Sequence, residues 1–494
     1  MSNGDGETWQ LPPDPDQEGD GHGRHGEGND DSDGQGAPPP PQVAPPPPPP
    51  PPLPLATIPA GFTTFVAGLP TAFVQAFEAD APGGTPWTPA IVTDPASGPV
   101  PSAQPVAVFT TPTTQQTTPL LLSAGTVGLI DNGTAPLTVA DGANTPQFIA
   151  TGDGGMTLYA TAASGWFVAE GGSNTVVLGA THMGAWTIDL LGGTNQIWAE
   201  GGNDTVTTAA GSSNFVAFGA GNDLAFSGGN DLFFGSTGND TINATGAKVS
   251  AVGGSGGLTF IDASTIAGGQ SALIFGGKGA LNVQGGLGNV TVVAGSGGGL
   301  ITGGSAGDNI LVGGSGPTTL MGAGSGDLLI GGAAGGAALI AGAGNETLVA
   351  GSGGNNQIWG GTGNDVIVLA GGNNTVVGSS LAAAASGGDV VWSGSGANVI
   401  NAEAANLNVI AGLGGNDTVQ AGSGADIFTF TNGQAGGTTV IDGFNAATDR
   451  IMLNGYAAKS ASISASGGST TITLSDKTQI QLIGLASLPA SAIG

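Results

Sequence analysis

Four acidic residues stand at equal intervals in the middle of this chain: Asp308, Asp327, Glu346 and Asp365, each 19 residues after the last. Carboxylates repeated at a fixed spacing are the raw material of a hard-cation site, provided the fold stacks them. No Lys or Arg occurs from 279 to 449, so no protein cation can neutralise the row. The imbalance is general, since 35 acidic residues face 6 basic ones among 494, a formal net charge of −29.

The elements that must position this row are legible between its members. Midway lie Thr318, Ala337, Asn356 and Asn374, each followed two places later by an apolar residue: Leu320, Leu339, Ile358 and Val376. The repeat is therefore a doubled unit of nine to ten residues, with room in each half for one tight turn and one short strand. Two halves predict one coil of a flattened parallel β-solenoid, an all-β fold in which residues 19 apart stack on one edge. The 96 glycines suit a turn-dominated β architecture and disfavour a helix-rich one.

Upstream, Asp204 and Asp223 are again 19 apart, and the steps then tighten through Asp231 and Asp240; downstream, coils run through Asp389, Asn398, Asn408, Asp417 and Asp426. Between Thr241 and Gly307 only Asp262 is acidic, which predicts a metal-free stretch. At nine to ten residues per half-coil the region gives roughly sixteen coils and a rod of about 75 Å, with one edge expected acidic and the other neutral.

Stacking at about 4.8 Å would make adjacent carboxylates repel by roughly 3 kcal/mol at an effective dielectric near 20. Either they splay into solvent as an acidic edge without metal, or a cation sits between coils. Carboxylates combined with the carbonyls of Gly-rich turns are flexible oxygen ligands, which favours calcium over zinc or magnesium.

Residues 219–224 (GAGNDL), 228–232 (GGNDL), 235–242 (GSTGNDTI), 322–329 (GAGSGDLL) and 361–367 (GTGNDVI) resemble the RTX, or haemolysin-type, calcium-binding nonapeptide repeat. The resemblance spans roughly 200–430 and implies a β-roll whose Asp side chains and turn carbonyls bind calcium along one edge of two blocks. The ligand candidates are Asp204, Asp223, Asp231, Asp240, Asp308, Asp327, Glu346, Asp365, Asp417 and Asp426. The chain departs from the pattern where turns carry Asn, Thr or Ala in place of Asp, and at Glu346, which is one methylene longer. Residues 425–430 (ADIFTF) and 440–453 (VIDGFNAATDRIML) look like the closing segment of RTX exoproteins, which implies a carboxy-terminal cap and a signal read by type I secretion machinery. Residues 1–10 are polar and acidic and do not resemble a cleaved secretory signal.

Other functions are excluded by what the chain lacks. The long gaps between basic residues leave no stripe to neutralise phosphates, so nucleic acid is not an expected partner. No 18-residue apolar run occurs, so no transmembrane segment is expected. With no Cys, thiolate chemistry and disulfides are absent. Three histidines, His22, His25 and His182, cannot build the zinc site of a serralysin-like protease, and no Ser–His–Asp set or phosphate loop is found. The sequence reads as a non-enzyme.

Five regions follow: an acidic disordered tail (1–36), a polyproline spacer (37–60), an irregular amino-terminal segment and cap (61–124), the solenoid (125–430) and a carboxy-terminal β cap with the secretion region (431–494). Phe62, Phe65, Val66, Leu69, Phe73 and Phe77 have helical spacing with a kink at Pro70, and suit either a cap or a docking helix. If Ile310, Leu329, Leu348 and Ile367 point inward, then Leu311, Ile330, Val349 and Val368 form an outward apolar ladder, as do Met321, Ile340, Trp359 and Val377 on the other sheet. Such a ladder suits self-association, unless tight turns let both residues of each pair face inside. The favoured reading is an extracellular or cell-surface calcium-binding scaffold, of surface-layer, matrix or adhesin type. The alternative is a module binding extracellular polysaccharide through Trp198, Trp359 or Trp392; ice binding is weaker, because among the candidate turn carboxylates only Asp240 and Asp365 have a Thr three places before, Thr237 and Thr362.

Overall fold

In the computed structural model, the described residues run from 58 to 494, apart from 80–86, 93–105, 124, 142–146, 180–183, 247, 265–270, 379–387, 403–405, 412–414 and 458–459. The acidic tail and most of the polyproline spacer lie outside them, as does His182. The chain from Thr88 onward is a parallel β-solenoid of about 17 turns. Each turn gives one strand to a first sheet, which contains Trp186–Leu190, Thr318–Met321 and Thr438–Asp442, and one to a second, which contains Thr194–Gly201, Leu328–Ile330 and Arg450–Asn454.

Short apolar runs become strands here because each next turn supplies a complete ladder of backbone partners. Ile310–Val312, Leu328–Ile330 and Thr347–Val349 have three residues each, and only the middle one faces inward: Leu311, Leu329 and Leu348 are fully buried. On the first sheet Leu320, Leu339, Ile358 and Val376 do the same. In this block one aliphatic side chain per half-coil thus extends the continuous core, which elsewhere also takes in aromatic residues such as Phe233 and Phe260.

The turns use glycine where the stacked backbones touch. A Cβ on Gly238 would overlap the carbonyl oxygen of Gly221 in the turn below, and one on Gly221 would overlap that of Gly202. Close approach of backbone to backbone at these turns therefore demands the missing side chain.

Two boundaries differ from the sequence reading. The solenoid starts before 125, since Thr88–Val92 already pairs in parallel with Val106–Thr110. The second of these is buried on both faces, so it lacks the alternation that marks a half-buried strand. At the other end, Thr438–Asp442 and Arg450–Asn454 are still solenoid strands. The closing element is an antiparallel hairpin, Ser462–Ser466 with Ser469–Thr473, followed by Gln479–Ile483, which returns to pair in parallel with Thr438–Asp442.

The helical segment forms α1 (Thr63–Gly68) and α2 (Thr71–Ala79), broken at Leu69 and Pro70 as the proline requires. The pair does not close the end of the stack. It lies on the outer face of the first sheet, where Phe62, Phe65, Phe73 and Phe77 pack on Phe109, Ile130, Phe148 and Trp166. No helix among the described residues is long and apolar enough to cross a membrane.

Candidate metal centre

Strand pairing sorts the acidic residues onto two edges rather than one. Asp204, Asp223, Asp240 and Asp417 stand at or next to the leading ends of strands of the first sheet, whereas Asp231, Asp327, Glu346, Asp365 and Asp426 do so on the second. The expected division into one acidic and one neutral edge holds only locally, where Asp327, Glu346 and Asp365 oppose Ala337, Asn356 and Asn374. In the middle stretch the same positions are apolar, with Leu258 and Leu281 on one edge and Val249 and Val290 on the other.

Asp308 is not in the row. It is exposed, with φ of 54°, and the buried position beside Asp327 belongs to Asn309. The inward apolar residue falls two places after each stacked position, and Leu311, not Ile310, is inward; Ile310 is 41% exposed. Spacing of 19 was satisfied by the wrong neighbour. Conversely, Asp389 and Asp449 extend the second edge. The sequence reading takes Asp389 as a coil position but not as a ligand, and Asp449 as neither; their steps of 24 and 23 residues from Asp365 and Asp426 break the equal interval, although Val391 and Ile451 follow each at the inward position.

The stacked carboxylates are buried and bonded to the backbone. Oδ1 of Asp223 accepts the N–H of Asp204 at 2.7 Å, and Asp365 accepts that of Glu346 at 2.8 Å, so each Asp ties its turn to the preceding one. The Asn that comes just before does the converse: Asn203 Oδ1 accepts the N–H of Asn222 at 2.8 Å in the following turn. Where Asn replaces Asp the ladder becomes amide. Asn356 Nδ2 donates to Asn374, Asn374 to Asn398, and Asn398 to Asp417, at 2.8, 3.0 and 2.9 Å. A second amide ladder runs from Asn174 through Asn195 and Asn214 to Asp231.

The second carboxylate oxygens divide the candidates. Oδ2 of Asp327 accepts the N–H groups of Ala323 and Gly324, and Oδ2 of Asp231 accepts the hydroxyls of Thr208 and Ser227. Oδ2 of Asp240 and of Asp426 each accept a turn N–H, from Ser236 and Gly422. By contrast, Oδ2 of Asp223, Oδ2 of Asp365 and both oxygens of Glu346 are buried and accept no hydrogen bond. A buried carboxylate oxygen without a donor is costly unless a cation or proton meets it.

Their proton affinities express the same imbalance. Burial, followed by the charges of Asp204 and Asp240, pushes Asp223 up to about 7. Burial raises Asp365 to about 8, helped by the facing carboxyl of Glu346 and the charge of Asp389, and Glu346 is itself raised, chiefly by burial. Asp426 rises to about 6 through burial and then Asp449.

These residues fit a hard divalent cation at two places, around Asp223 and around the Glu346–Asp365 pair. Among the described residues no three His, Cys, Asp or Glu side chains converge. A cation would therefore draw the rest of its shell from turn carbonyls and water, as calcium readily does.

A parallel β-solenoid with carboxylate-bearing glycine turns is a calcium-binding repeat architecture. The family model of the RTX calcium-binding nonapeptide repeat matches residues 187–215, 227–246, 340–376, 384–406 and 408–434. The chain carries RTX repeats, and the ion those repeats bind is calcium. The matched segments include Asp204, Asp231, Asp240, Glu346, Asp365, Asp417 and Asp426, and leave out Asp223 and Asp327. No curated protein matches the chain.

Proposed function

We propose that this protein is a non-enzymatic extracellular scaffold, a calcium-stiffened rod of the surface-layer, matrix or adhesin kind. The observation that carries the reading is the set of buried carboxylate oxygens at Asp223, Glu346 and Asp365 that no protein donor meets. Calcium at these turns would offset like charges that otherwise oppose stacking, so the rod would be stiff where calcium is plentiful and strained where it is scarce. Asp204, Asp240 and Asp389 lie on turns adjacent to those carboxylates and complete the charge on each side.

Export is part of the proposal. Residues 431–494 would carry the address for a type I channel, and binding calcium after export would couple folding to arrival outside the cell. The test is circular dichroism during calcium titration of the purified chain, followed by chelation. Gain of β signal and of melting temperature with calcium, reversed by chelator, supports the reading; identical spectra and melts in both conditions defeat it.

A second reading, binding of extracellular polysaccharide, rests on one concavity of about 430 Å³ lined by Gln196, Phe215, Asn230, Leu232, Lys248 and Ser250. Apolar Phe215 and Leu232 beside amide, hydroxyl and ammonium groups suit a saccharide. Retention on a glycan array that is lost on Phe215→Ala would favour it.

A further inference from the structure

The outer faces of the two sheets differ in a way that local strand preference does not explain. On the second sheet one outward column is apolar on every turn from Val177 to Ile410, passing through Phe234, Phe275, Ile330 and Trp392. Phe275 and Trp392 are 42% and 48% exposed, and the others are half-buried. The corresponding column of the first sheet is broken by Asp189, Thr207, Asn243, Gln284, Thr302 and Asn401. Both columns sit on equally pleated strands, so preference for β structure would treat them alike.

We infer that the outer face of the second sheet is an interface that pairs with the same face of a second copy of this chain. The face has the area required. At about 4.8 Å per turn the column extends roughly 60 Å, and with the outward column beside it covers about 600 Å² per copy. Two copies would bury about 1,200 Å² in total, at the lower end of the range of stable specific interfaces.

Charge points to the same occupant. In a chain of net charge −29, neither of these two outward columns holds an acidic residue between 175 and 410; Glu200 is exposed beyond them, near the end of Thr194–Gly201. Repulsion between copies therefore comes from the turn edges, where calcium would lower it. A second copy also presents the same spacing turn for turn, so a two-fold pairing keeps every row in register along the stripe. Within the molecule there is a precedent: outward Phe109, Ile130 and Phe148 of the first sheet are covered by α1 and α2.

This pairing deepens the scaffold reading and takes its setting from it. The test is sedimentation of the full chain over a dilution series with calcium, alongside Phe275→Lys/Ile330→Lys and, as control on the other sheet, Gln284→Lys/Thr302→Lys. Wild type and control should approach twice the 47.2 kDa chain mass, and the first variant should associate at least tenfold more weakly with an unchanged dichroism spectrum. A folded wild type that stays monomeric at every concentration overturns the proposal, as does a Phe275→Lys/Ile330→Lys chain that pairs like wild type. Flotation of a monomeric wild type with phosphatidylcholine vesicles would also overturn it, by assigning the stripe to lipid. Melts of the same samples with and without calcium report separately on the calcium reading, so either idea can fail alone.

Discussion

Asp365 accepts the backbone N–H of Glu346 at 2.8 Å through one oxygen, while its other oxygen, buried beside the Glu346 carboxyl, accepts nothing. One side chain is thus both a structural clamp and a carboxyl whose ionisation is opposed by burial and by the neighbouring Glu346. The two roles are separable by substitution. Asp365→Asn keeps the acceptor for Glu346 and removes the charge, so melting temperature without calcium should rise and the gain on adding calcium should shrink. Asp365→Ala leaves that N–H unsatisfied and should cost about 1–3 kcal/mol in either condition. Thermal melts of the three proteins, with calcium and with chelator, check both statements.

The pH dependence should change sign with the metal. Asp223 and Asp365 have folded values of about 7 and 8, well above an unfolded carboxyl near 3.9. The folded chain without calcium therefore binds more protons than the unfolded one between those limits, and stability falls as pH rises from about 4 to about 8. Calcium competes with those protons, so its affinity should increase over the same window. Urea titrations at pH 5 and pH 8 in chelator, and calcium titrations at both, measure the two slopes.

The amide ladder at Asn374 gives a prediction independent of charge. Asn374 accepts from the N–H and Nδ2 of Asn356 and donates to Asn398. Replacing it by Ala leaves the buried N–H of Asn356 without its acceptor, while Asn398 Oδ1 keeps the backbone N–H of position 374, and should cost about 1–3 kcal/mol. Because each turn touches only its neighbours, hydrogen exchange should quicken near 356–398 and stay unchanged near 204–240. Uniform quickening would show that the turns do not act locally.

Glycine at the stacked turns should be irreplaceable. Gly238→Ala sets a methyl against the Gly221 carbonyl, and the backbone shift that relieves it should cost roughly 1–3 kcal/mol, read as a lower urea midpoint.

Phe73 on α2 should matter for the helices and little for the rod. It is fully buried against Phe148 and Trp166, so Phe73→Ala should weaken helix docking by about 3–5 kcal/mol. Proteolysis within 63–79 should then precede any loss of β signal.

Much of this was readable in advance, because a repeat writes its period many times. Leu320, Leu339, Ile358 and Val376 announced the half-coil, and the Gly-Asn-Asp segments announced the turn chemistry. What equal spacing could not provide was phase. One residue decides whether Asp308 or Asn309 is stacked, and a one-place shift exchanges core and surface, as Leu311 and Ile310 show. Steps of 24 residues to Asp389 and 23 to Asp449 break the interval in the same way, so neither stands among the ligand candidates.

By itself, then, the sequence determined the period, the class of fold, the hard-oxygen character of the turns and the excess of negative charge, since each follows from residue type and interval. Only the tertiary structure decided which carboxylates share an edge, which of their oxygens lack a donor, and where α1 and α2 lie. The reason is physical: edge, phase and covering are fixed by hydrogen bonds and contacts between successive turns and across the sheet face, and an interval along the chain does not specify them.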